Sequence, residues 1–238
     1  MILDIDHIAL TSSDFSRLMD IFSKLDYCVE FYEKRVDNPK IKEKLMQHFS
    51  EYHDLCLLKS KNNLNVELLN HKTVNKKNGF LIPIFNNTET NSLQKDQLLK
   101  IKNSNIPLII EETNNDFLFN KMIVETNNLE ESKNFWKSLG FFQKNEFKNH
   151  LYFNSILSEK KYEFILKEIH SDSKNNLDDK GWNCIALLSN SIEKEYDFLK
   201  NKYITTEIEL LEINHKQLRI FFVKSPGGEL IEIISLTD

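Results

Sequence analysis

Apolar positions in this chain switch repeatedly between a period of two and a period near 3.6, and the switching recurs as a unit. Leu3 to Leu10 reads as a strand, Ser12, Ser13 and Asp14 are candidate helix caps, and Phe15, Leu18, Met19 and Phe22 fall at i, i+3, i+4 and i+7. Tyr27–Tyr32, His53–Lys59 and Leu64–Leu69 then read as strands, which makes the unit βαβββ. An insertion at 39–49 interrupts it: Pro39 can open a helix, Ile41, Leu45 and Phe49 form one apolar stripe, and Lys40, Lys42, Glu43 and Lys44 leave the other side solvated. It is expected to pack by that stripe, either as a lid on the module's cavity or as a surface decoration.

The unit returns at Phe119–Val124, with a helix over Leu129–Leu139, Gly140 at its C′ position, and strands at Phe141–Phe147, His150–Asn154 and Tyr162–Ile169. It returns again from Gly181–Leu187, through a helix carrying Ile192, Tyr196 and Leu199, to strands Leu218–Val223 and Leu230–Ile234 joined by the turn Ser225-Pro226-Gly227-Gly228. A truncated copy lies between: strand Phe80–Phe85, a helix around Leu93–Ile101, strand Pro107–Ile110, then Asn114-Asn115-Asp116 where two more strands are due. Three consecutive strands with short connections after each helix favour antiparallel pairing, so the class expected is α+β, with curved mixed sheets around cavities and helices outside. The modules fall at 1–72, 78–113, 117–170 and 181–236. Paired consecutively, they give a first lobe at 1–116 and a second at 117–238.

At 238 residues the chain is long enough for one large or two small domains, and 40% hydrophobic residues with 17 Phe argue against disorder as its main state. Lys+Arg 31 against Asp+Glu 36 leaves a net charge of −5, so nucleic acid is not an expected partner. No apolar run approaches the roughly 18 residues of a membrane span, and Met1-Ile2-Leu3-Asp4 lacks the basic and apolar regions of a leader. A cytoplasmic protein, monomer or homodimer, with no membrane partner is expected. Cys28, Cys56 and Cys184 are odd in number and far apart, so they read as reduced thiols. No Gly-rich phosphate loop, G-x-S-x-G or H-E-x-x-H occurs, which removes the signals for nucleotide hydrolysis and α/β-hydrolase chemistry.

Asp6-His7-Ile8-Ala9-Leu10, Val66-Glu67-Leu68-Leu69, Gly181-Trp182-Asn183-Cys184-Ile185-Ala186 and the Pro226-Gly227-Gly228-Glu229-Leu230-Ile231-Glu232 ending occupy corresponding places in the modules. In this order they resemble the vicinal oxygen chelate superfamily, the glyoxalase, bleomycin-resistance and extradiol-dioxygenase group. The nearest look is to methylmalonyl-CoA epimerase-like members. The resemblance implies that paired modules enclose a cavity in which side chains from first and fourth strands hold a divalent metal such as Zn, Fe, Mn, Co or Ni. Carried over residue by residue, His7 and Glu67 come from the first module and Cys184 and Glu232 from the last. The truncated module offers only Ile82, and the third offers Lys121 and Glu163. Only if the first and last modules paired would His7, Glu67, Cys184 and Glu232 converge.

The implied activity is a metal-dependent isomerase, lyase or dioxygenase acting on a small oxygen-rich molecule, with Glu67 and Glu232 as candidate catalytic carboxylates. A non-catalytic small-molecule binder of the same fold is the alternative. Glu67 and Glu232 each stand between apolar neighbours, and a buried carboxylate needs a partner. Cys184 has a competing reading as a small core residue. His53, His150 and His215 begin the third strands of their modules, where exposed hairpin mouths are expected, and His48 and His71 have no spacing partner for a metal motif.

Overall fold

A computed structural model describes residues 1–88, 92–113, 117–144, 148–170 and 175–236. The first module comprises β1 (Ile2–Thr11), α1 (Phe15–Ser23), β2 (Cys28–Asp37), β3 (Tyr52–Lys59) and β4 (Asn65–Asn70), followed by the short β5 (Asn75–Asn78). The truncated module is β6 (Leu81–Thr88), α2 (Ser92–Asn103) and β7 (Ile109–Thr113). The third is β8 (Leu118–Thr126), α3 (Leu129–Ser138), β9 (Phe142–Gln143), β10 (His150–Asn154) and β11 (Lys161–Glu168). The last is β12 (Asp179–Ser189), α4 (Ile192–Leu199), β13 (Ile204–Thr205), β14 (Glu209–Ile213), β15 (Lys216–Lys224) and β16 (Leu230–Leu236). The expected Asn114-Asn115-Asp116 connection and the end of the strand drawn to Phe147 lie outside the described residues.

The class is α+β, with strands in two mixed sheets. The larger runs β13-β15-β16-β12-β1-β4-β3-β2, with β14 on β15 and β5 on β12; the smaller runs β7-β6-β8-β11-β10-β9. The modules therefore pair first with last and second with third, not in the consecutive lobes 1–116 and 117–238. Both seams join first strands antiparallel: β1 to β12 from Ile2↔Ser189 to Thr11↔Gly181, and β6 to β8 through Leu81↔Val124 and Ile82↔Ile123. Hydrophobic pattern does not separate the two pairings, because every first strand is an apolar run. Once β6 takes β8, its near neighbour in the chain, the free edge of β1 is left for β12.

The helices form where the pattern places them. Phe15, Leu18, Ile21 and Phe22 are the buried stripe of α1, and Asn128 caps α3 by accepting from the Glu131 amide at 3.2 Å. Gly140 follows α3 at φ +97°, the left-handed conformation that its C′ position demands. Between the sheets, Trp182 contacts Phe22 at 6.2 Å and Phe119 at 6.0 Å, while Phe85 lies 4.5 Å from Phe119. The backbones approach so closely here that a Cβ on Gly79 would sit 2.0 Å from the Trp182 carbonyl oxygen.

The insertion departs from the expected helix. It forms only a six-residue 3₁₀ segment, Lys40–Leu45, fastened to the start of β12: the Leu177 amide donates to Leu45 O at 2.8 Å, and the Gln47 and His48 amides donate to the Asp178 carboxylate at 2.8 and 2.9 Å. Leu45 is buried and Ile41 and Phe49 pack against the core, as the stripe requires. Lys42, expected on the solvated side, is buried, because the tighter 3₁₀ winding rotates it inward.

Candidate metal centre

Strand register positions the centre. On β1 and β4, Ala9 lies opposite Glu67; on β12 and β16, Ala186 lies opposite Glu232. His7 precedes Ala9 by two residues and Cys184 precedes Ala186 by two, so each pair shares a sheet face and His7 and Cys184 are equivalent by pseudo-symmetry. The seam places His7 directly across from Ala186. The two alanines leave room above β1 and β12 for the carboxylates of the flanking strands to lean inward.

His7, Glu67 and Glu232 consequently converge, each offering a ligand atom within 4.8 Å of the others. His7 Nε2 stands 3.4 Å from Glu67 Oε2 and 3.8 Å from Glu232 Oε2. Cys184 is buried beside this group, but its thiol is not among the atoms that meet there. Its nearest hydrogen-bond acceptor is the Ile185 carbonyl at 3.9 Å, and burial, with Glu232 nearby, pushes the thiol well above its ordinary value. A protonated thiol in that setting is a poor ligand.

One residue of the centre that sequence reasoning left without a role is Asp6. Consecutive strand residues normally point to opposite faces, yet Asp6 Oδ2 lies 2.8 Å from His7 Nδ1. The register between β1 and β12 slips between Ile5 and His7, and this bulge turns Asp6 toward its neighbour. The contact fixes the ring and leaves Nε2 facing the two carboxylates. A bulge has no signature in a strand lacking Gly, so no signal in the sequence pointed to it.

Charge in the centre is strongly coupled. Burial works against the His7 imidazolium, but the Glu67 carboxylate and the Asp6 contact outweigh it and hold the ring well above its ordinary value. Burial likewise pushes Glu67 up, and His7 more than reverses this. Glu232 goes the other way: burial, helped by Glu67 and opposed by Lys42 and His7, raises it to about 7.

Two cavities meet at these carboxylates. One of about 170 Å³ has mostly apolar walls, among them Phe31, Leu57, Leu188 and Ile220, with His7, Glu67 and Glu232 also lining it. The other, about 380 Å³, is lined by Lys42, His53, Glu209, Glu67 and Glu232, with Pro39 of the insertion on its wall. His53 is buried, not exposed as a hairpin mouth, because the insertion covers that end of β3. His71 lies beside it, ring centroids 5.4 Å apart. Burial, with Lys42 adding repulsion, pushes His53 down to about 2 and His71 down to about 3. In the smaller sheet, Lys121 reaches Glu111 at 3.5 Å and Glu163 at 4.0 Å, and His150 Nδ1 meets Glu163 at 2.6 Å.

The donor set fits a divalent ion. His7 Nε2 is buried and without a hydrogen-bond partner, on a side chain only 5% exposed at the residue level, and it faces two carboxylate oxygens. One imidazole nitrogen and two carboxylates suit Zn, Fe, Mn, Co or Ni, and a buried nitrogen that pairs with Glu67 by charge but forms no hydrogen bond is free to take an ion.

No protein-family profile matches the chain, and no curated protein matches it. Solved structures do. A "putative dioxygenase" from Bacillus subtilis aligns over 98% of this chain and 85% of its own, at 10% identity and TM-score 0.62. A glyoxalase I variant from Zea mays aligns over 97% of this chain and 92% of its own, at 13% identity and TM-score 0.59; glyoxalase I itself from the same plant gives 97%, 92%, 12% and 0.55. The chain shares the fold of these dioxygenase and glyoxalase I structures.

Proposed function

We propose that this chain is a metal-dependent enzyme of the vicinal oxygen chelate type, an isomerase, lyase or dioxygenase that acts on a small molecule with adjacent oxygen atoms. The observation that carries this reading is the buried, unpartnered Nε2 of His7 facing Glu67 and Glu232 at 3.4 and 3.8 Å. His7, Glu67 and Glu232 would hold the ion, with Asp6 keeping the His7 ring turned toward it. Cys184 stands as a reserve donor, able to join only if its thiol loses its proton and turns toward the group. Bound there, the ion supplies Lewis acidity, polarising the substrate's oxygens.

The chain's own groups supply the rest. Glu67 would compensate the positive charge of the ion. Glu232, lining both cavities beside the centre, is placed to take a proton from a carbon beside a carbonyl and to return it. The apolar walls of the smaller cavity exclude water from that transfer.

Metal analysis of the purified protein tests the reading. About one equivalent of a transition ion in the wild type and none in His7→Ala is expected; a metal-free wild type that takes up no added Zn, Mn, Fe, Co or Ni would overturn it.

A further inference from the structure

Lys42 is 7% exposed, and among the described residues no carboxylate lies within 4.0 Å of its Nζ. Its ammonium instead rests 5.4 Å from the centroid of the Phe222 ring. It lines the larger cavity together with Glu67, Glu232 and His53. The insertion that carries it is pinned to β12 by the backbone contacts to Leu177 and Asp178, so the ammonium is held in place and does not sweep through solvent. Burying a cation without a bonded anion is unfavourable, and a fold that fixes one beside a reaction centre is complementary to a charge that arrives later.

The balance of charge indicates which charge. With a divalent ion on His7, Glu67 and Glu232, the two carboxylates neutralise the ion, and Lys42 is the buried cation on the wall of the larger cavity. The same cavity carries Asp37 and Glu212 at exposed positions and Glu209 at a partly buried one, which disfavour a second negative charge on any ligand. The adjoining apolar cavity of about 170 Å³, walled by Phe31, Leu57, Leu188 and Ile220, suits a compact hydrocarbon or aromatic body.

Resting on the metal-centre reading above, we infer that the ligand of this site is a small monoanion with adjacent oxygens and an apolar body, and that Lys42 is the specificity-determining residue that receives its anionic oxygen. The role belongs to the insertion and not to the repeated module, since the equivalent stretch of the other modules carries no such segment among the described residues.

Mandelate and mandelamide are suitable probes, because both offer adjacent oxygens and a phenyl body and they differ in charge. Calorimetric titration would compare metal-loaded wild type with Lys42→Met, which keeps the stem over Phe222, and with Lys42→Gln as a second neutral variant should the first fail to fold. The preference for mandelate over mandelamide is expected to fall by about tenfold or more in the neutral variants. Mandelamide affinity and metal content should stay within about twofold, and Lys42→Arg should keep the preference. A metal-loaded wild type without a preference for mandelate, or an unchanged preference in the neutral variants, overturns the role of Lys42 while leaving the centre standing. A wild type that binds no metal overturns the centre, and this assignment with it.

Discussion

The two sheets answer the same electrostatic problem in opposite ways. Each gathers carboxylates on the inner face of paired modules. In the smaller sheet a covalent cation satisfies them: Lys121, in register opposite Glu163, reaches both Glu163 and Glu111, and His150 and the Tyr152 hydroxyl add contacts to Glu163 at 2.6 and 3.2 Å. In the larger sheet the residue in register opposite Glu67 is Ala9, and His7, two residues before it on the same face, leaves a buried nitrogen facing two carboxylates. An internal ammonium closes a site permanently, while a histidine leaves it to be completed by something that can bind and leave. Truncation reinforces the difference: among the described residues the second module ends at β7, so no counterpart of β16 brings in a second deep carboxylate.

Acid should separate the two regions most strongly. Unfolded histidines take up a proton near 6.5, whereas folded His53 and His71 do so only at about 2 and about 3. Between those values the unfolded chain binds more protons, so stability falls as pH drops below about 6.5. At pH 5 the loss is about 2 kcal/mol per histidine, about 4 kcal/mol together; Glu232, raised to about 7, takes up its proton in the folded chain over the same range and offsets about 2 kcal/mol of it, and His7 acts in the same sense. Urea midpoints from pH 7 to 5 would show the net loss, and His71→Leu should reduce the loss at pH 5 by about 2 kcal/mol. Hydrogen exchange should find the amides of β3 and β4 opening before those of β10 and β11; the reverse order would break the comparison.

His7→Ala should weaken metal binding by a factor of about 100 or more, since it removes a direct ligand, while Glu163→Gln in the smaller sheet should leave metal content unchanged. Equal losses in both variants would mean that the sheets do not differ as argued. Asp6→Asn, which keeps the shape beside His7 Nδ1 but removes the charge, is expected to cost about 10- to 100-fold in metal affinity, measured by competition with a chelator. The smallest effect belongs to Lys121→Met: its partners are partly exposed, so thermal unfolding should register a change of about 1 kcal/mol or less, with no effect on metal content.

Much of the fold was legible because it rests on local periodicity. The βαβββ modules at 1–72, 117–170 and 181–236, the truncated copy between them, the Gly140 stop after α3 and the Ser225-Pro226-Gly227-Gly228 turn all follow from spacing that each segment carries by itself. His7, Glu67 and Glu232 are singled out by the resemblance that Asp6-His7-Ile8-Ala9, Val66-Glu67-Leu68-Leu69 and the Pro226-to-Glu232 ending carry.

What the sequence left open depends on contacts between distant segments. Four apolar first strands can pair in more than one way, and only the assembled sheets bring Glu232 to His7 across Ala186 instead of leaving it in a separate lobe. The Asp6 bulge arises from register against β12, not from any turn residue. Lys42 and His53 read as exposed because their neighbours are polar and the insertion looked like a free helix; docking onto Leu177 and Asp178 buries both. Period determines which face a side chain takes within its own element, whereas burial, charge and the company it keeps are set by whichever element packs on that face, and that partner lies here more than a hundred residues away.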